Sequence, residues 1–308
     1  MSQATGLCCQ KVCEAEAMFN GGVRNLLLSN EVFGTERYER MAVLAAGGAT
    51  VTLVFDSAET VEQAAQVAKT RGINFRALVE VNVGQDRCGV DSVEEAVALA
   101  EKIAGFAPSL ELYGIQAYHG AAQHIRIYGE KQKVIAAVAE KAKTVRDALV
   151  KNGLKCAVVT GGGTGTYLLE AASGVFTEVQ PGSYLFNDAD YARNLGKDGE
   201  FAAVPRAVVD AGTKAVSLDS GSPLVHSMVS GEKLPTALEY HGGGDEHGIL
   251  KPVDVHNAKK TVLPPLGTKM LLVPGHCDPT TNMYDYLVGY RGDRVEHVWE
   301  IEARGPGN

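Results

Sequence analysis

Residues 50–83 read TVTLVFDSAETVEQAAQVAKTRGINFRALVEVNV, and this stretch decides the fold class. Its pattern predicts a strand, a helix and a second strand, at Thr50–Phe55, Ser57–Thr70 and Arg76–Val83. Both strands are mostly apolar, which is typical of strands that are covered by helices on both faces of a sheet. The stretch therefore predicts one strand–helix–strand unit of a parallel sheet.

The same alternation of strand and helix continues on both sides of this unit, from Gly6 to about residue 190. Right-handed crossovers then give either an open doubly wound sheet or a (β/α)₈ barrel. A closed barrel needs eight strands and we count seven, so either the sheet is open or the first strand is missing from this chain. The seven predicted strands are Gly6–Gln10, Asn25–Asn30, Thr50–Phe55, Arg76–Val83, Leu110–Tyr118, Cys156–Thr160 and Glu178–Phe186.

After about residue 190 the pattern changes to strands that are separated by Pro- and Gly-rich turns rather than by helices. We therefore expect two domains, a barrel domain over residues 1–190 and an antiparallel β domain over residues 191–308. The strands predicted in the second domain are Ala203–Asp210, Ala215–Asp219, Lys269–Val273, Tyr286–Tyr290 and Arg294–Glu302.

Composition narrows the class of partner. The net charge is −8 and no basic block occurs, which argues against nucleic acid as a ligand. No uninterrupted apolar span reaches ~20 residues, so we expect no membrane helix. The first residues carry no signal peptide, and the six cysteines lack paired spacing, which is typical of reduced thiols in a cytoplasmic protein. A small-molecule substrate is the remaining expectation.

His276 and Asp278 stand two residues apart, within Pro274–Thr280 and between two predicted strands. On an extended segment they face the same side, where an imidazole nitrogen and a carboxylate oxygen can share a divalent cation. Cys277 would then point away and pack. The spacing alone favours the alternative, a local hydrogen bond in a proline-flanked turn, because a metal site needs further ligands. Asp245-Glu246-His247 is a second cluster, either a further ligand source or a solvated loop.

A glycine-rich loop, Gly161–Thr166, follows one predicted strand and precedes a helix. Its bare backbone amides and hydroxyl groups predict an anion cradle, suited to the phosphate of a small cofactor. The absence of a following lysine excludes a P-loop, and a tight turn without a ligand is the alternative. Pro181–Tyr184 gives a similar signal after the next strand. Arg87 lies at the same rim, either as a ligand-binding or as an ordinary surface residue.

Seven motifs, in order along the chain, resemble those of one known family. They are Cys8–Val12, Val83–Val90, Gln116–His124, Thr160–Thr166, Pro181–Tyr184, Asp245–Gly248 and His276–Thr280. Together they resemble the D-threonine aldolase and D-serine dehydratase family, whose members have an alanine-racemase-like barrel and a C-terminal β domain. The resemblance runs from about Gly6 to Gly305.

The resemblance implies that pyridoxal phosphate binds at the barrel mouth. Arg87 would donate a hydrogen bond to its ring phenolate, and Tyr118 would line the pocket. The family forms its Schiff base through a lysine on the first barrel strand, which would precede Cys8 and is absent from this sequence. That departure agrees with the count of seven strands. The residues implied at the phosphate are Gly163, Thr164, Gly182 and Ser183, with Tyr184 close by.

The resemblance also implies the reaction. His124 would be the base near the substrate hydroxyl, and His276 and Asp278 would hold the Mn²⁺ or Zn²⁺ that binds this hydroxyl. The family's aldolases have aspartate at the position of Asp278 and its dehydratases typically have cysteine. We therefore expect a D-threonine aldolase, which cleaves a D-β-hydroxy amino acid to glycine and an aldehyde.

Two alternatives stay open. One is a dehydratase of D-serine or D-threo-3-hydroxyaspartate, and the other is a truncated, inactive homologue that binds pyridoxal phosphate. Relatives with this barrel are often dimers, so the resemblance also allows a homodimer.

Overall fold

The computed structural model describes residues 4–185, 189–192, 194, 213–228, 238–242, 248–253, 269–302 and 304. These residues fall into two compact units. The barrel unit comprises residues 4–123 and 131–181, and the β unit comprises residues 124–130 and the described residues from 182 to 304. The chain thus enters the β unit briefly before it completes the barrel unit.

The barrel unit is built on seven parallel strands in strict chain order. Each strand pairs with the next one along the chain, without the reversal of order that a doubly wound sheet has. This sequential order is that of a barrel, so the predicted (β/α)₈-type architecture with seven strands is confirmed. The strands are β1 (Leu7–Cys9), β2 (Asn25–Leu28), β3 (Thr50–Phe55), β4 (Phe75–Glu80), β5 (Leu110–Gln116), β6 (Val158–Gly161) and β7 (Glu178–Val179).

Helices alternate with these strands and bury one apolar face each. Ser92 illustrates how the sequence sets a helix start, because its side chain accepts the Glu95 amide while the Glu95 carboxylate accepts the Ser92 amide. At the other end of a helix, Gly72 adopts φ +64°, a left-handed conformation that ends the helix after Arg71. The helices are α1 (Val12–Asn20), α2 (Thr35–Ala46), α3 (Ala58–Arg71), α4 (Val93–Ala104), α5 (Tyr128–Lys151) and α6 (Tyr167–Ala172).

One predicted strand of the barrel unit is shorter than expected. The prediction was Glu178–Phe186, but β7 ends at Val179. Pro181 has no amide hydrogen for a sheet ladder, and a 3₁₀ turn follows at Ser183–Leu185. The predicted motif Pro181–Tyr184 is therefore a turn that leaves the sheet.

The β unit contains three antiparallel strand pairs, as predicted for the C-terminal part of the chain. They are β8 (Leu224–Met228) with β11 (Met270–Val273), β9 (Leu238–Gly242) with β10 (Gly248–Pro252), and β12 (Tyr286–Arg291) with β13 (Arg294–Glu300). Val216, Tyr240 and Leu272 form a buried apolar cluster in this unit.

Several predictions in the β unit are wrong in detail. Residues 215–219 form turns rather than a strand, and β8, β9 and β10 were not predicted. The predicted strand Ala203–Asp210 and the cluster Asp245-Glu246-His247 lie outside the described residues. The short helices α7 (Ala189–Ala192) and α8 (Cys277–Thr281) complete the unit.

A membrane-spanning segment was not expected from the sequence. Over the ranges that the structure describes, no helix combines the length and the apolar character needed to cross a bilayer.

Candidate active site

The glycine loop after β6 is tightly packed at Gly163. A Cβ atom at this position would lie 2.7 Å from Gln123 Oε1 and 3.0 Å from Tyr118 Oη. Only a residue without a side chain permits this approach, because real Cβ contacts are longer. The loop therefore brings the predicted phosphate residue Gly163 against the predicted pocket residue Tyr118.

Buried polar side chains hold the loop in place. Gln123, which is buried, accepts the Gly165 amide at 3.0 Å and donates to Thr166 Oγ1 at 2.8 Å. Lys131 Nζ donates to the Gly165 carbonyl at 3.0 Å. A loop braced in this way keeps its amides at fixed positions, which is what a preformed anion cradle needs.

Glu170 lies beneath the same loop. Its Oε1 accepts the Thr166 hydroxyl at 2.7 Å, and its Oε2 is buried without a hydrogen-bond partner among the described residues. Burial raises the pKa of this carboxyl, and the Thr166 hydrogen bond opposes burial only in part. A carboxyl that holds its proton more tightly repels a nearby phosphate less.

Arg87 and Tyr118 meet although they follow different strands. The Arg87 guanidinium carbon lies 5.6 Å from the centroid of the Tyr118 ring, within the range of a cation–π contact. Asn82 shapes the loop that carries Arg87, because its Oδ1 accepts the amides of Gly84 and Asp86. Burial raises the pKa of Tyr118, while the positive charge of Arg87 acts in the opposite direction.

A network of hydrogen-bonded polar side chains links the carboxyl-terminal ends of β4, β5, β6 and β7. Gln116 Nε2 donates to Glu80 Oε2 at 2.6 Å, and Gln180 Nε2 donates to Gln116 Oε1 at 2.9 Å and to Thr160 Oγ1 at 3.0 Å. Thr160 in turn donates to Glu178 Oε1 at 2.8 Å. Glu80 is only 2% exposed, and burial raises its pKa to about 9, with nearby Glu31 adding to the shift. Glu80 is therefore a neutral acid near pH 7.

Three further side chains converge at the ends of β2, β3 and β4. One potential ligand atom each of Glu31, Asp56 and Cys88 lies within 4.8 Å of the other two. Burial raises the pKa of Glu31 and raises that of the Cys88 thiol to about 11, and the neighbouring carboxylates act in the same direction. No sequence motif pointed to this cluster, because its members come from three separate loops.

In the β unit, the predicted base His124 is bound to a buried aspartate. His124 Nδ1 is hydrogen-bonded to Asp190 Oδ2, and Arg126 donates both to Asp190 Oδ1 and, at 2.6 Å, to its carbonyl. Arg126 also donates to Asn194 Oδ1 at 2.9 Å. Sequence analysis selected His124 but neither Arg126 nor Asp190.

Tyr191 links this base to the predicted metal ligand His276. Its ring centroid lies 6.1 Å from that of His124 and 6.1 Å from that of His276. The Asp190 amide also donates to the Gly275 carbonyl at 2.9 Å, directly before His276. Two residues predicted to act on one substrate hydroxyl therefore both lie near one aromatic ring of the β unit.

The local geometry of the His276 motif differs from the predicted extended segment. His276 is extended (φ −142°, ψ 135°), but α8 begins at Cys277 and includes Asp278. Cys277 is buried, as predicted for a packing residue. Asp278 is exposed, and within the described ranges no hydrogen bond or ion pair engages its carboxylate. A direct His276–Asp278 hydrogen bond, the alternative interpretation of the spacing, is thus not formed.

The second predicted phosphate motif lies in the β unit. Gly182 is exposed, with space around its Cα, and the Leu185 amide donates to its carbonyl at 3.1 Å. Ser183 and Tyr184 form the 3₁₀ turn that follows. Gly163 and Thr164 belong to the barrel unit, so a phosphate site shared by both motifs stays a prediction.

Comparison with known proteins gives two matches to family models. Residues 1–190 match the alanine racemase N-terminal domain, and residues 198–290 match a putative serine dehydratase domain.

Individual relatives agree with these matches. A 3-hydroxy-D-aspartate aldolase of Paracoccus denitrificans (strain Pd 1222) is 39% identical over 99% of this chain and 80% of its own length. A D-threonine aldolase of Arthrobacter sp. is 38% identical over 98% of this chain and 80% of its own length. The crystal structure of D-threonine aldolase from Filomicrobium marinum superimposes with a TM-score of 0.84 at 37% identity, over 98% of this chain and 82% of that one.

Proposed function

We propose a reaction from one premise: the chain belongs to the family of D-threonine and 3-hydroxy-D-aspartate aldolases, whose first domain is of the alanine racemase N-terminal type. The protein is a pyridoxal-phosphate-dependent lyase of the aldolase type, acting on D-β-hydroxy amino acids. Within that class we propose D-threonine as a substrate, cleaved to glycine and acetaldehyde. We propose that residues 1–190 and residues 191–308 are its two functional domains.

The observation that carries this proposal is the arrangement of His124 and His276 around Tyr191. A retro-aldol cleavage removes the proton of the β-hydroxyl as the Cα–Cβ bond breaks. A base and a cation that act on one oxygen must both lie within reach of it. Two imidazoles, each 6.1 Å from one ring, support such a pair, with His124 as the base and His276 as a ligand.

The barrel unit offers donors that suit a phosphorylated aromatic cofactor. The contacts of Gln123 and Lys131 with Gly165 fix the backbone of the glycine loop, which supports a preformed phosphate site there. Arg87 beside Tyr118 supplies a positive charge suited to a phenolate. Pyridoxal phosphate, when bound, supplies an electron sink for the charge that develops at the substrate Cα. We propose Gly163, Thr164, Gly182 and Ser183 for its phosphate, with Tyr184 beside them.

His276 and Asp278 are the proposed metal ligands. An imidazole nitrogen and a carboxylate oxygen suit Mn²⁺ as well as Zn²⁺, and the exposed, unengaged carboxylate of Asp278 supports its availability. A cation held there would make the substrate hydroxyl more acidic. His124 would then take the hydroxyl proton, and these side chains would orient the Cβ–O bond.

The experiment uses the full-length protein with pyridoxal phosphate and with Mn²⁺ or Zn²⁺. D-Threonine should give glycine and acetaldehyde in equal amounts, measured by amino-acid analysis and by an alcohol dehydrogenase assay. A second candidate, a dehydratase, is favoured by the serine dehydratase domain match at residues 198–290. Ammonia and a 2-oxo acid as the only products would overturn the aldolase proposal and establish the dehydratase.

We also propose that the protein is a homodimer. Tyr286, Val288 and Tyr290 of β12 lie on one face with Val295 and Val298 of β13, and all five side chains are exposed. An exposed apolar strip of this kind is typical of an interface. Light scattering after size exclusion should give twice the chain mass, and a monomeric mass would contradict the proposal.

A further inference from the structure

Asp190 is the least solvated charged group around the predicted base. It is 2% exposed, on the short helix α7, and it is bound by His124 Nδ1, by two nitrogens of Arg126 and, through its amide, by the Gly275 carbonyl. A buried aspartate is retained only where its charge is matched by donors. Here the donors are His124 and Arg126, which precede α5, while the Gly275 carbonyl accepts the Asp190 amide.

The hydrogen bond between the Asp190 carboxylate and the His124 imidazole determines which ring nitrogen of His124 carries hydrogen. A carboxylate oxygen only accepts hydrogen bonds, so the Nδ1 that faces it must carry hydrogen. In a neutral imidazole this leaves Nε2 without hydrogen and with a free lone pair. Burial by itself would raise the pKa of Asp190, but the hydrogen bonds from His124 and Arg126 outweigh it and lower this pKa to about 2. The carboxylate is therefore ionised at every pH at which the enzyme would work.

We propose that Asp190 is a positioning residue that holds His124 in the Nδ1–H tautomer, so that Nε2 takes the proton of the substrate β-hydroxyl. This inference rests on the proposed function. In the step, the O–H bond breaks and its proton forms an N–H bond at Nε2, while the hydroxyl oxygen becomes the aldehyde carbonyl. The electron pair of the broken Cα–Cβ bond stays with Cα, which gains one proton to give glycine, so protons balance.

The same residue contacts both the predicted base and the loop that carries the predicted metal ligand. Its side chain holds His124, its amide holds Gly275 beside His276, and the ring of the next residue, Tyr191, lies 6.1 Å from each of the two imidazole rings. Asp190 therefore contacts the predicted base directly and the predicted metal ligand through its neighbour. A displacement of either group by about 1 Å can lower the reaction rate about 100-fold.

The test compares Asp190→Asn with Asp293→Asn, an exposed aspartate in the β12–β13 turn. An asparagine amide can donate to Nδ1, which favours the Nε2–H tautomer and removes the free lone pair from Nε2. We expect kcat for D-threonine to fall about 10²- to 10⁴-fold with KM changed less than about threefold. Asp293→Asn should match the wild type, and Asp190→Glu should recover part of the loss because it still accepts.

A second readout does not depend on activity. The ¹⁵N chemical shifts of the His124 ring should show the Nδ1–H form in the wild type and the Nε2–H form in Asp190→Asn. An Nε2–H form in the wild type overturns the inference, even if the variant does not fold. Wild-type kcat in Asp190→Asn also overturns it and leaves the proposed function intact. A wild type that cleaves no D-threonine instead overturns the proposed function, while the ring shifts still decide the tautomer.

Discussion

The guanidinium of Arg87 lies over the ring of Tyr118, 5.6 Å from its centroid. The two residues follow β4 and β5, which are hydrogen-bonded neighbours, and the carboxyl ends of parallel strands meet at one edge of the sheet. Their contact places a fixed positive charge beside a phenol whose pKa is raised by burial. We expect this charge to favour an anionic ligand at the rim of the barrel unit.

Arg87→Ala should weaken binding of pyridoxal phosphate by about 10- to 100-fold, since a hydrogen bond to a charged group contributes about 1.5–3 kcal/mol. The affinity is measured by absorbance titration of the cofactor. Arg294→Ala, an exposed arginine of β13, is the matched control and should bind as the wild type does. Equal affinity in both variants would remove Arg87 from the cofactor site.

Gly163→Ala tests the packing of the glycine loop. The added Cβ would lie 2.7 Å from Gln123 Oε1 and 3.0 Å from Tyr118 Oη, so one of these must move. We expect the free energy of unfolding to fall by about 1–3 kcal/mol, together with weaker phosphate binding. Urea denaturation and titration with inorganic phosphate measure the two effects.

The control for that variant is Gly129→Ala in α5, where an added Cβ meets nothing within 4 Å. In a helix, alanine is more stable than glycine by about 1 kcal/mol, so this variant should be unchanged or slightly stabilised. Unchanged stability in Gly163→Ala, as in the control, would mean that the loop tolerates a side chain at Gly163.

The barrel unit was predictable because local signals and tertiary structure agree there. Thr50–Phe55 begins and ends where predicted, since β-branched residues fill the strand. The β unit was less predictable. Leu224–Met228 contains His226 and Ser227 and has little strand signal by itself, and its stability comes from pairing with Met270–Val273.

The residues of the candidate site likewise fall into those that sequence motifs predict and those that only the structure reveals. Arg87, Tyr118 and His124 stand at strand ends within motifs of known type, so sequence analysis found them. Asp190 was missed because its partner His124 lies 66 positions away and no motif spacing connects them. Gln123 lies within the motif Gln116–His124, but its role in bracing the glycine loop is visible only from its contacts with Gly165 and Thr166.

Glu80→Gln tests the buried neutral acid. The raised pKa of Glu80, about 9, lies above its ordinary value of 4.5, so the folded state keeps a proton that the unfolded state loses. The contribution of this group to stability is complete below about pH 4.5 and is lost as the pH rises towards 9, by at most about 1.4 kcal/mol per pH unit. Glutamine keeps the contact with Gln116 and cannot ionise.

We therefore expect the stability of Glu80→Gln relative to the wild type to increase from pH 5 to pH 9, as measured by urea denaturation at several pH values. Glu101→Gln, an exposed glutamate of α4, should show a constant difference over the same range. A constant difference for Glu80→Gln as well would mean that Glu80 is ionised in the folded protein.

Removal of the proposed cation tests the His276 motif directly. His276 precedes α8 and Asp278 lies in its first turn, so the pair offers one nitrogen and one carboxylate ligand from adjoining backbone segments. Full-length protein dialysed against Mn²⁺ or Zn²⁺ should retain one ion per chain, measured by plasma mass spectrometry, and chelation should abolish cleavage of D-threonine.

His276→Ala should retain no ion, because a single exposed carboxylate holds a divalent cation weakly. His241→Ala, whose imidazole pairs with Glu239 on the surface of β9, should retain it fully. Because the Tyr191 ring contacts the rings of both His124 and His276, the stability of His276→Ala must be checked by thermal unfolding. A folded His276→Ala that still binds one ion would place the metal site elsewhere in the chain.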